Sequence, residues 1–463
     1  MPIAAHLEQG DDGKWRVDVA SEVGTPYRLQ TSTSLLDEWQ WSGDEVVATG
    51  THTPFPVSIV TSEPRRFWRV ARLAKKIAFL GDSITDGISG PDYTILRGYG
   101  AVAQTALSQR FSLVRRADAY GTDSDYGYGG FRALDLADGR DGVHPADEVA
   151  ATDADLVFVN AGINDINSGA DAATTVNRIV ALHRKLKLLG KNTIGSTLMS
   201  LGSNYGAAKR DAADAVNVSL PAALTSIGVP VLSWHTVAIR DANGFVVPGD
   251  LYDGIHPTAA LGVRTGLALA DFLDERVGRT PFSPPLAGSA QWITGSPYVA
   301  NSVAGKDPAW LPQWGSEGNS YAKLTDTQGL VWQQCTSMQN GVNGMHTIYA
   351  ASPFGGSTPS LVGKRIRGVA RIGLPPGNTL KGAMLWAHCQ NSAYADLTSR
   401  YAMLCSDDEV QRSGGAIQSF TGLFLTEEFT VPAQTHWIRL EIRWWGEGAL
   451  HFREAGIFQT TTP

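Results

Sequence analysis

The sequence predicts a multidomain protein in which a parallel α/β sheet lies between two all-β units, one at each end. Three observations predict it. The chain is 463 residues long, beyond what one hydrophobic core of ordinary size serves. Its first and last stretches alternate apolar and polar residues, whereas the middle sets short, wholly apolar runs between helix-period segments. A period of two marks half-buried strands, and apolar runs alternating with helices mark a sheet covered on both faces.

The first unit covers residues 1–74. Trp15-Arg16-Val17-Asp18-Val19, Tyr27-Arg28-Leu29-Gln30 and Phe67-Trp68-Arg69-Val70 alternate and are separated by Gly, Pro and Asp, the pattern of a small all-β module. The stretch from Tyr27 through Ser34, Leu35 and Trp39 to Val70 loosely resembles fibronectin-like modules appended to secreted bacterial and viral proteins.

The second unit covers residues 75–280. Ile77-Ala78-Phe79-Leu80 is an apolar run that ends in Gly81, and Leu156-Val157-Phe158-Val159, Thr193-Ile194-Gly195 and Val229-Pro230-Val231-Leu232 are the other candidate buried strands. Helical patterns are predicted over 99–109, 172–189, 207–224 and 257–276. In the last of these, Leu261, Val263, Leu267, Leu269 and Phe272 fall mainly on one face. Arg279 to Pro285, with three prolines, reads as a linker.

The third unit covers residues 286–463. Alternation returns at Arg365-Ile366-Arg367-Gly368-Val369 and Trp437-Ile438-Arg439-Leu440-Glu441-Ile442, which predicts a β-sandwich or jelly roll. It resembles the accessory domains of carbohydrate-active enzymes and phage tail proteins. Trp310, Trp314, Trp332, Trp386, Trp444 and Trp445 are assigned mostly to the sandwich core, with a sugar-stacking platform as the alternative. Cys335, Cys389 and Cys405 permit at most one disulfide and match no zinc spacing.

Bulk properties narrow the function. A hydrophobic fraction of 43% with 18% charged residues is that of a soluble globular protein. The net charge of −7 argues against a nucleic-acid binder, which needs a clustered Lys/Arg surface. The one basic run, Arg65-Arg66 to Lys75-Lys76, is interleaved with Phe67, Trp68 and Val70 and reads as a strand edge and linker. No run approaches the apolar length of a membrane span, and Met1 to Gly10 has no signal-peptide pattern, which fits a cytoplasmic protein, a trimmed chain or one that leaves a cell by another route such as a virion; an extracellular place, secreted or virion-borne, is favoured.

Three short motifs follow three of the predicted strands. Gly81-Asp82-Ser83-Ile84-Thr85 is a turn at a C-terminal strand edge, where a nucleophile belongs. Gly162-Ile163-Asn164-Asp165 offers an uncharged amide NH₂ to a developing oxyanion. In Asp253-Gly254-Ile255-His256-Pro257, Pro257 suits the first position of a helix, with His256 near its cap and Asp253 one turn back, so carboxylate and imidazole can meet. Each motif alone is more often an ordinary turn or helix cap. Together they supply nucleophile, oxyanion donor, base and orienter on one edge of one sheet.

In this conjunction the chain resembles the SGNH (GDSL-type) hydrolases, whose blocks are a Gly-Asp-Ser turn, a lone Gly, a Gly-x-Asn-Asp and an Asp-x-x-His. The lone Gly best matches Gly130 in Tyr126-Gly127-Tyr128-Gly129-Gly130-Phe131-Arg132, with Gly129 as the one-residue alternative, and the resemblance spans residues 76–275. It implies an α/β/α, flavodoxin-like catalytic domain. It also implies Ser83 as nucleophile, His256 as general base, Asp253 as its orienter, and an oxyanion hole from the N–H groups of Ser83 and Gly130 with the Asn164 side chain. Asp82 and Asp165 are expected to brace the turns. The acyl-enzyme route requires no metal and no cofactor.

Two other classes compete with an acyl-enzyme hydrolase: a metal-dependent phosphoesterase using Asp82, Asp86, Asn164, Asp253, His235 and His256, and a glycan-binding protein with an inactive hydrolase fold. The four histidines of the α/β region, His144, His183, His235 and His256, are too widely spaced to favour the first. The expected substrate is an O-acetylated poly- or oligosaccharide, with a general short-chain esterase or lipase as the alternative. The catalytic segment has no long apolar insertion, its loops Ser89-Gly90-Pro91-Asp92-Tyr93 and 126–132 are polar and aromatic, and Tyr128 and Arg132 could contact sugar hydroxyls or serve structurally.

Overall fold

The apolar run at Ile77–Leu80 forms the middle of a parallel sheet. Strand Lys76–Gly81 pairs with Leu156–Asn160, which pairs with Asn192–Ser196, which pairs with Val231–Leu232. On its other side two short strands share one edge: Ser112–Val114 beside Lys76–Ala78, and Tyr126–Gly127 beside Leu80–Gly81. In this computed structural model the described residues are 5–9, 12, 14–23, 25–33, 40–58, 66–86, 98–117, 123–278, 292–296, 310–312, 319–337, 345–350, 361–404 and 416–460.

Every residue of Leu156–Asn160 is buried, as befits a strand covered on both faces. The covering helices fall into two packed groups. Tyr99–Ala106 lies against Ala259–Leu273, and Ala172–Leu188 lies against both Ala133–Asp138 and Ala207–Thr225. Between strand and helices sits an aromatic cluster in which Tyr99 meets Trp234 at a centroid distance of 4.5 Å and Phe79 meets Phe158 at 5.7 Å.

The helix expected over 99–109 stops at Ala106, because Ser108 and Gln109 turn to φ of 49° and 58°. The strand expected over 229–232 is confined to Val231–Leu232. The short edge strands and the six-residue helices Ala133–Asp138 and Pro145–Ala150 were not predicted.

The N-terminal region forms two antiparallel three-stranded sheets, Ala5–Gln9/Trp15–Ala20/His52–Val57 and Gln40–Val47/Pro26–Ser32/Phe67–Arg72, which share a core of Val17, Val19, Tyr27, Leu29 and Phe55. Pro54 and Pro56 take exposed positions of His52–Val57, between the buried Thr53 and Phe55, and are tolerated because that strand is at the edge of its sheet.

The C-terminal region forms two antiparallel sheets, one around strands Arg365–Leu374 and Gly448–Gln459, the other around Gly382–Gln390 and Trp437–Trp445. Ile366, Ile372, Phe424 and Phe452 share one core with Leu385, Ile438, Leu440 and Trp444. Of the tryptophans, Trp444 and Trp445 are buried, and Trp386 is sandwiched between His388 (4.1 Å) and Arg443 (3.7 Å). The Trp332 ring N–H donates to Asp326 at 2.9 Å. Trp314, the Trp310 side chain, Cys405, the loop 89–93 and the linker 279–285 lie outside the described residues. Cys335 and Cys389 are buried, and burial pushes the Cys389 thiol up to about 12.

A buried histidine sets an acid limit on this fold. His183, on helix Ala172–Leu188, is fully buried; Nδ1 meets Thr193 Oγ1 at 3.0 Å and Nε2 has no hydrogen-bond partner among the described residues. Burial pulls its pKa down to about 3, whereas an unfolded chain protonates near the ordinary histidine value of about 6.5. The unfolded state therefore binds the extra proton first. Its contribution is intact above about pH 6.5 and is lost as pH falls towards 3, on the order of 3 kcal/mol by about pH 4.5. Replacing His183 by Met should flatten the fall of Tm between about pH 6.5 and 4.5; parallel Tm profiles for the two proteins would show that the imidazole does not titrate this way.

Candidate active site

The strand Lys76–Gly81 ends in a tight turn built on one carboxyl group. Asp82 Oδ1 accepts from Ile84 N–H at 3.0 Å, and the Asp82 carbonyl accepts from the N–H groups of Thr85 and Asp86, both at 3.0 Å. None of these bonds uses the Ser83 N–H. A Cβ on Gly81 would lie 2.1 Å from Thr85 Oγ1 and 2.3 Å from the Asn160 carbonyl, so only glycine lets the turn close against the neighbouring strand. Ser83 at its tip is half-buried.

Next to it, Tyr126–Gly127 runs parallel to Leu80–Gly81, and Tyr128 N–H donates to the Gly81 carbonyl at 2.9 Å. This pairing carries Gly129 and Gly130 to the same sheet edge, where both are exposed and Gly130 adopts φ +74°. Asn164 stands in the first turn of Ile163–Asn167, beyond the end of Leu156–Asn160. Its Nδ2 donates to the Phe131 carbonyl at 3.0 Å, which engages one of the two amide hydrogens and ties Asn164 to the Gly130 loop. Asp165 is fully buried and accepts from Ala133 N–H at 2.7 Å and from Arg178 at 2.9 Å, so it braces the same loop.

The third piece brings base and carboxylate to the serine. His256 Nε2 lies 2.8 Å from Ser83 Oγ, and His256 Nδ1 lies 2.6 Å from Asp253 Oδ2. Asp253 Oδ1 accepts from the N–H groups of Ile255 at 3.0 Å and His256 at 2.8 Å. Burial pushes the Asp253 carboxyl up, but these backbone bonds and the His256 ring outweigh it and hold the group below its usual range. Asp82 differs: burial pushes it up to about 7 despite the Ile84 N–H and the nearby His256. Asp253 is therefore the carboxylate that stays ionised beside the imidazole.

Pro257 does not open the last helix, contrary to the expectation from the sequence. The helix starts at Ala259 with Thr258 as its N-cap, and the Asp253–His256 segment is the tip of a small hairpin. Tyr252 N–H donates to the His256 carbonyl at 3.1 Å, Leu251 bridges to Pro257, and Thr258 N–H donates to the Asp250 carbonyl at 2.7 Å. Two further residues support this tip without any motif to announce them. Asn204 Nδ2 donates to the Asp253 carbonyl at 2.8 Å and packs against Gly254, whose φ of +87° and crowded α-carbon exclude a side chain. The Tyr252 ring stacks on the His256 ring at 5.8 Å.

Tyr128 is corrected from a sugar contact to an interior brace: it is buried, its hydroxyl donates to Glu148 at 2.7 Å, and Arg116 covers its ring. Arg132 keeps a side-chain exposure of 37%, with its guanidinium fork on Asp135 at 2.9 and 3.0 Å. His235 is held by Thr197 at 3.1 Å. Among the described residues no three His, Cys, Asp or Glu side chains converge as a metal-binding group.

Residues 79–261 match the family model described as GDSL-like Lipase/Acylhydrolase family. The chain carries a GDSL-type acylhydrolase domain. Among solved structures it is similar to a member of the lipolytic protein G-D-S-L family from Veillonella parvula (17% identity, 42% of this chain and 96% of that one, TM-score 0.31). It is also similar to the aryl esterase of M. smegmatis (15%, 44% and 100%, TM-score 0.34) and to a carbohydrate acetylesterase from Sinorhizobium meliloti (14%, 43% and 99%, TM-score 0.33). A search of curated proteins finds no match. Among the described residues no helix is long and apolar enough to cross a membrane.

Proposed function

We propose that this GDSL-type domain is a serine esterase that removes O-acetyl groups from carbohydrate. The observation that carries the chemistry is the unbroken line Asp253–His256–Ser83, with contacts of 2.6 and 2.8 Å. Asp253 holds the proton on Nδ1, which leaves Nε2 with a lone pair facing Ser83 Oγ. Oγ attacks the ester carbonyl carbon as its proton passes to Nε2, and the carbonyl oxygen becomes an oxyanion. Collapse of this intermediate breaks the bond to the sugar oxygen, which takes the proton from Nε2 and leaves as the alcohol. Water, deprotonated by the same nitrogen, then attacks the acyl-serine; the acyl carbon–Oγ bond breaks, Oγ takes the proton back from Nε2, and the carboxylic acid leaves.

The oxyanion is met by the N–H groups of Ser83 and Gly130 and by the Asn164 amide hydrogen not given to Phe131. Asn164→Ala should lower kcat by about 10²–10³ with a much smaller change in KM, because a donor aimed at the oxyanion acts mainly in the transition state. Equal changes in kcat/KM and KM with constant kcat would instead make Asn164 a ground-state contact.

Support for a sugar ester is compositional. Arg132 keeps a partly exposed side chain two residues from Gly130, and the catalytic segment lacks a long apolar insertion that could cover a lipid. The test is acetate release from a panel of acetylated polysaccharides, run beside p-nitrophenyl acetate and octanoate. Acetate release from at least one glycan, with the acetate ester turned over faster than the octanoate, is expected. Faster octanoate turnover and no glycan release would move the protein to general short-chain esterases.

A further inference from the structure

The short helix that follows the nucleophile turn belongs to two cores at once. Tyr99–Ala106 has only eight residues, and Tyr99 through Thr105 are all buried. A helix this short has little stability of its own, and one buried all round needs cover from more than one side. Tyr99 and Ala103 belong to the catalytic core, where the Tyr99 ring is fixed edge-on against Phe79, Phe158 and Trp234.

The other side of the helix belongs to the C-terminal β region. Val102 joins the core formed by Ile366, Leu385, Phe424 and Phe452, and Ala101 packs with Met384, Met403 and Trp445. Thr105 Oγ1 accepts from Met403 N–H at 2.9 Å. Glu427 accepts from Gln104 Nε2 at 3.3 Å and from both terminal nitrogens of Arg115 at 3.1 Å, so one C-terminal carboxylate pins the helix and the segment following strand Ser112–Val114.

At its first residue the same helix reaches the nucleophile turn. Tyr99 Oη lies 2.7 Å from Thr85 Oγ1, and that hydroxyl fills the space left by Gly81. Burial holds the Tyr99 phenol well above its ordinary value, so it stays a neutral hydroxyl.

From this continuity we infer that the C-terminal β region is a buttress of the active site: through the helix Tyr99–Ala106 it holds the turn that presents Ser83, with Tyr99 and Glu427 as positioning residues at the two ends. The inference rests on the reading of Ser83 as nucleophile. It gives the C-terminal region a role in turnover of even the smallest ester, separate from any role in holding a polymer.

The experiment uses the full chain with Tyr99→Phe, Glu427→Gln and the double variant. It measures kcat and KM for p-nitrophenyl acetate, the rate of Ser83 labelling by a fluorophosphonate, and Tm. Sub-ångström displacement of a nucleophile is costly, so each single variant should lose about tenfold in kcat and in labelling rate with KM nearly unchanged. The double variant should lose less than the product of the two, because both act on one element. A fall in Tm with kcat and labelling rate unchanged would overturn the inference, as would strictly multiplicative losses. Failure of the unsubstituted protein to label at all would be a failure of the nucleophile reading, and is seen before any variant is compared.

Discussion

Replacing Ser83 by Ala should lower kcat by about 10⁶ while KM moves little. The magnitude follows from what the substitution removes and what it leaves. On the proposed mechanism it deletes the one atom that forms the covalent bond, 2.8 Å from His256 Nε2, so the two-step route would be closed. It leaves the Gly130 N–H and the Asn164 amide in place, and as the proposed oxyanion donors these alone should sustain roughly 10³–10⁴ over the uncatalysed reaction of direct water attack. The turn itself should survive, because Asp82 and the N–H groups of Ile84, Thr85 and Asp86 hold it without the serine hydroxyl. Tm within about a degree or two of the parent is therefore expected, consistent with the small effect of losing a half-exposed hydroxyl. A loss smaller than tenfold, with unchanged Tm, would place the nucleophile elsewhere.

The parts of this site that were legible in the sequence are those whose geometry is local. Asp253 and His256 are three residues apart and meet within one turn, and Ser83 follows a run, Ile77–Leu80, apolar enough to be recognised as a strand buried on both faces. The expected helix start at Pro257 failed for a physical reason. The tip is closed by pairing of Leu251 with Pro257 and of Thr258 with Asp250, and such cross-strand bonds leave no periodic trace. Asn204 reaches the Asp253 carbonyl from 49 positions away, a contact created only by the crossover of the sheet. The strands Ser112–Val114 and Tyr126–Gly127 have three and two residues, too few for an alternation to be read. Tyr128 was open to two readings because an aromatic in a glycine-rich loop can face either way; only the Glu148 partner decides it.

Asp253→Asn should have the second large effect, about 10⁴ in kcat, and the cause expected from the proposed mechanism is a tautomer rather than a charge. The substituted amide can still accept from the N–H groups of Ile255 and His256 through its oxygen, as Asp253 Oδ1 does now. The hairpin tip, further held by Asn204 and by stacking of Tyr252, should therefore keep its shape. The amide NH₂ then occupies the Oδ2 position, 2.6 Å from His256 Nδ1, and two donors cannot share that contact. The ring must accept there, so its proton moves to Nε2 and points at Ser83 Oγ, where the base needs a lone pair. Because the Asp253 side chain is 42% exposed, a purely Coulombic role would be screened and worth about tenfold or less. The two explanations are separated by kcat of Asp253→Asn measured at low and high salt: a loss near 10⁴ that salt leaves unchanged fits the tautomer, whereas a small loss, with kcat of the parent itself falling at high salt, makes Asp253 a charge partner only.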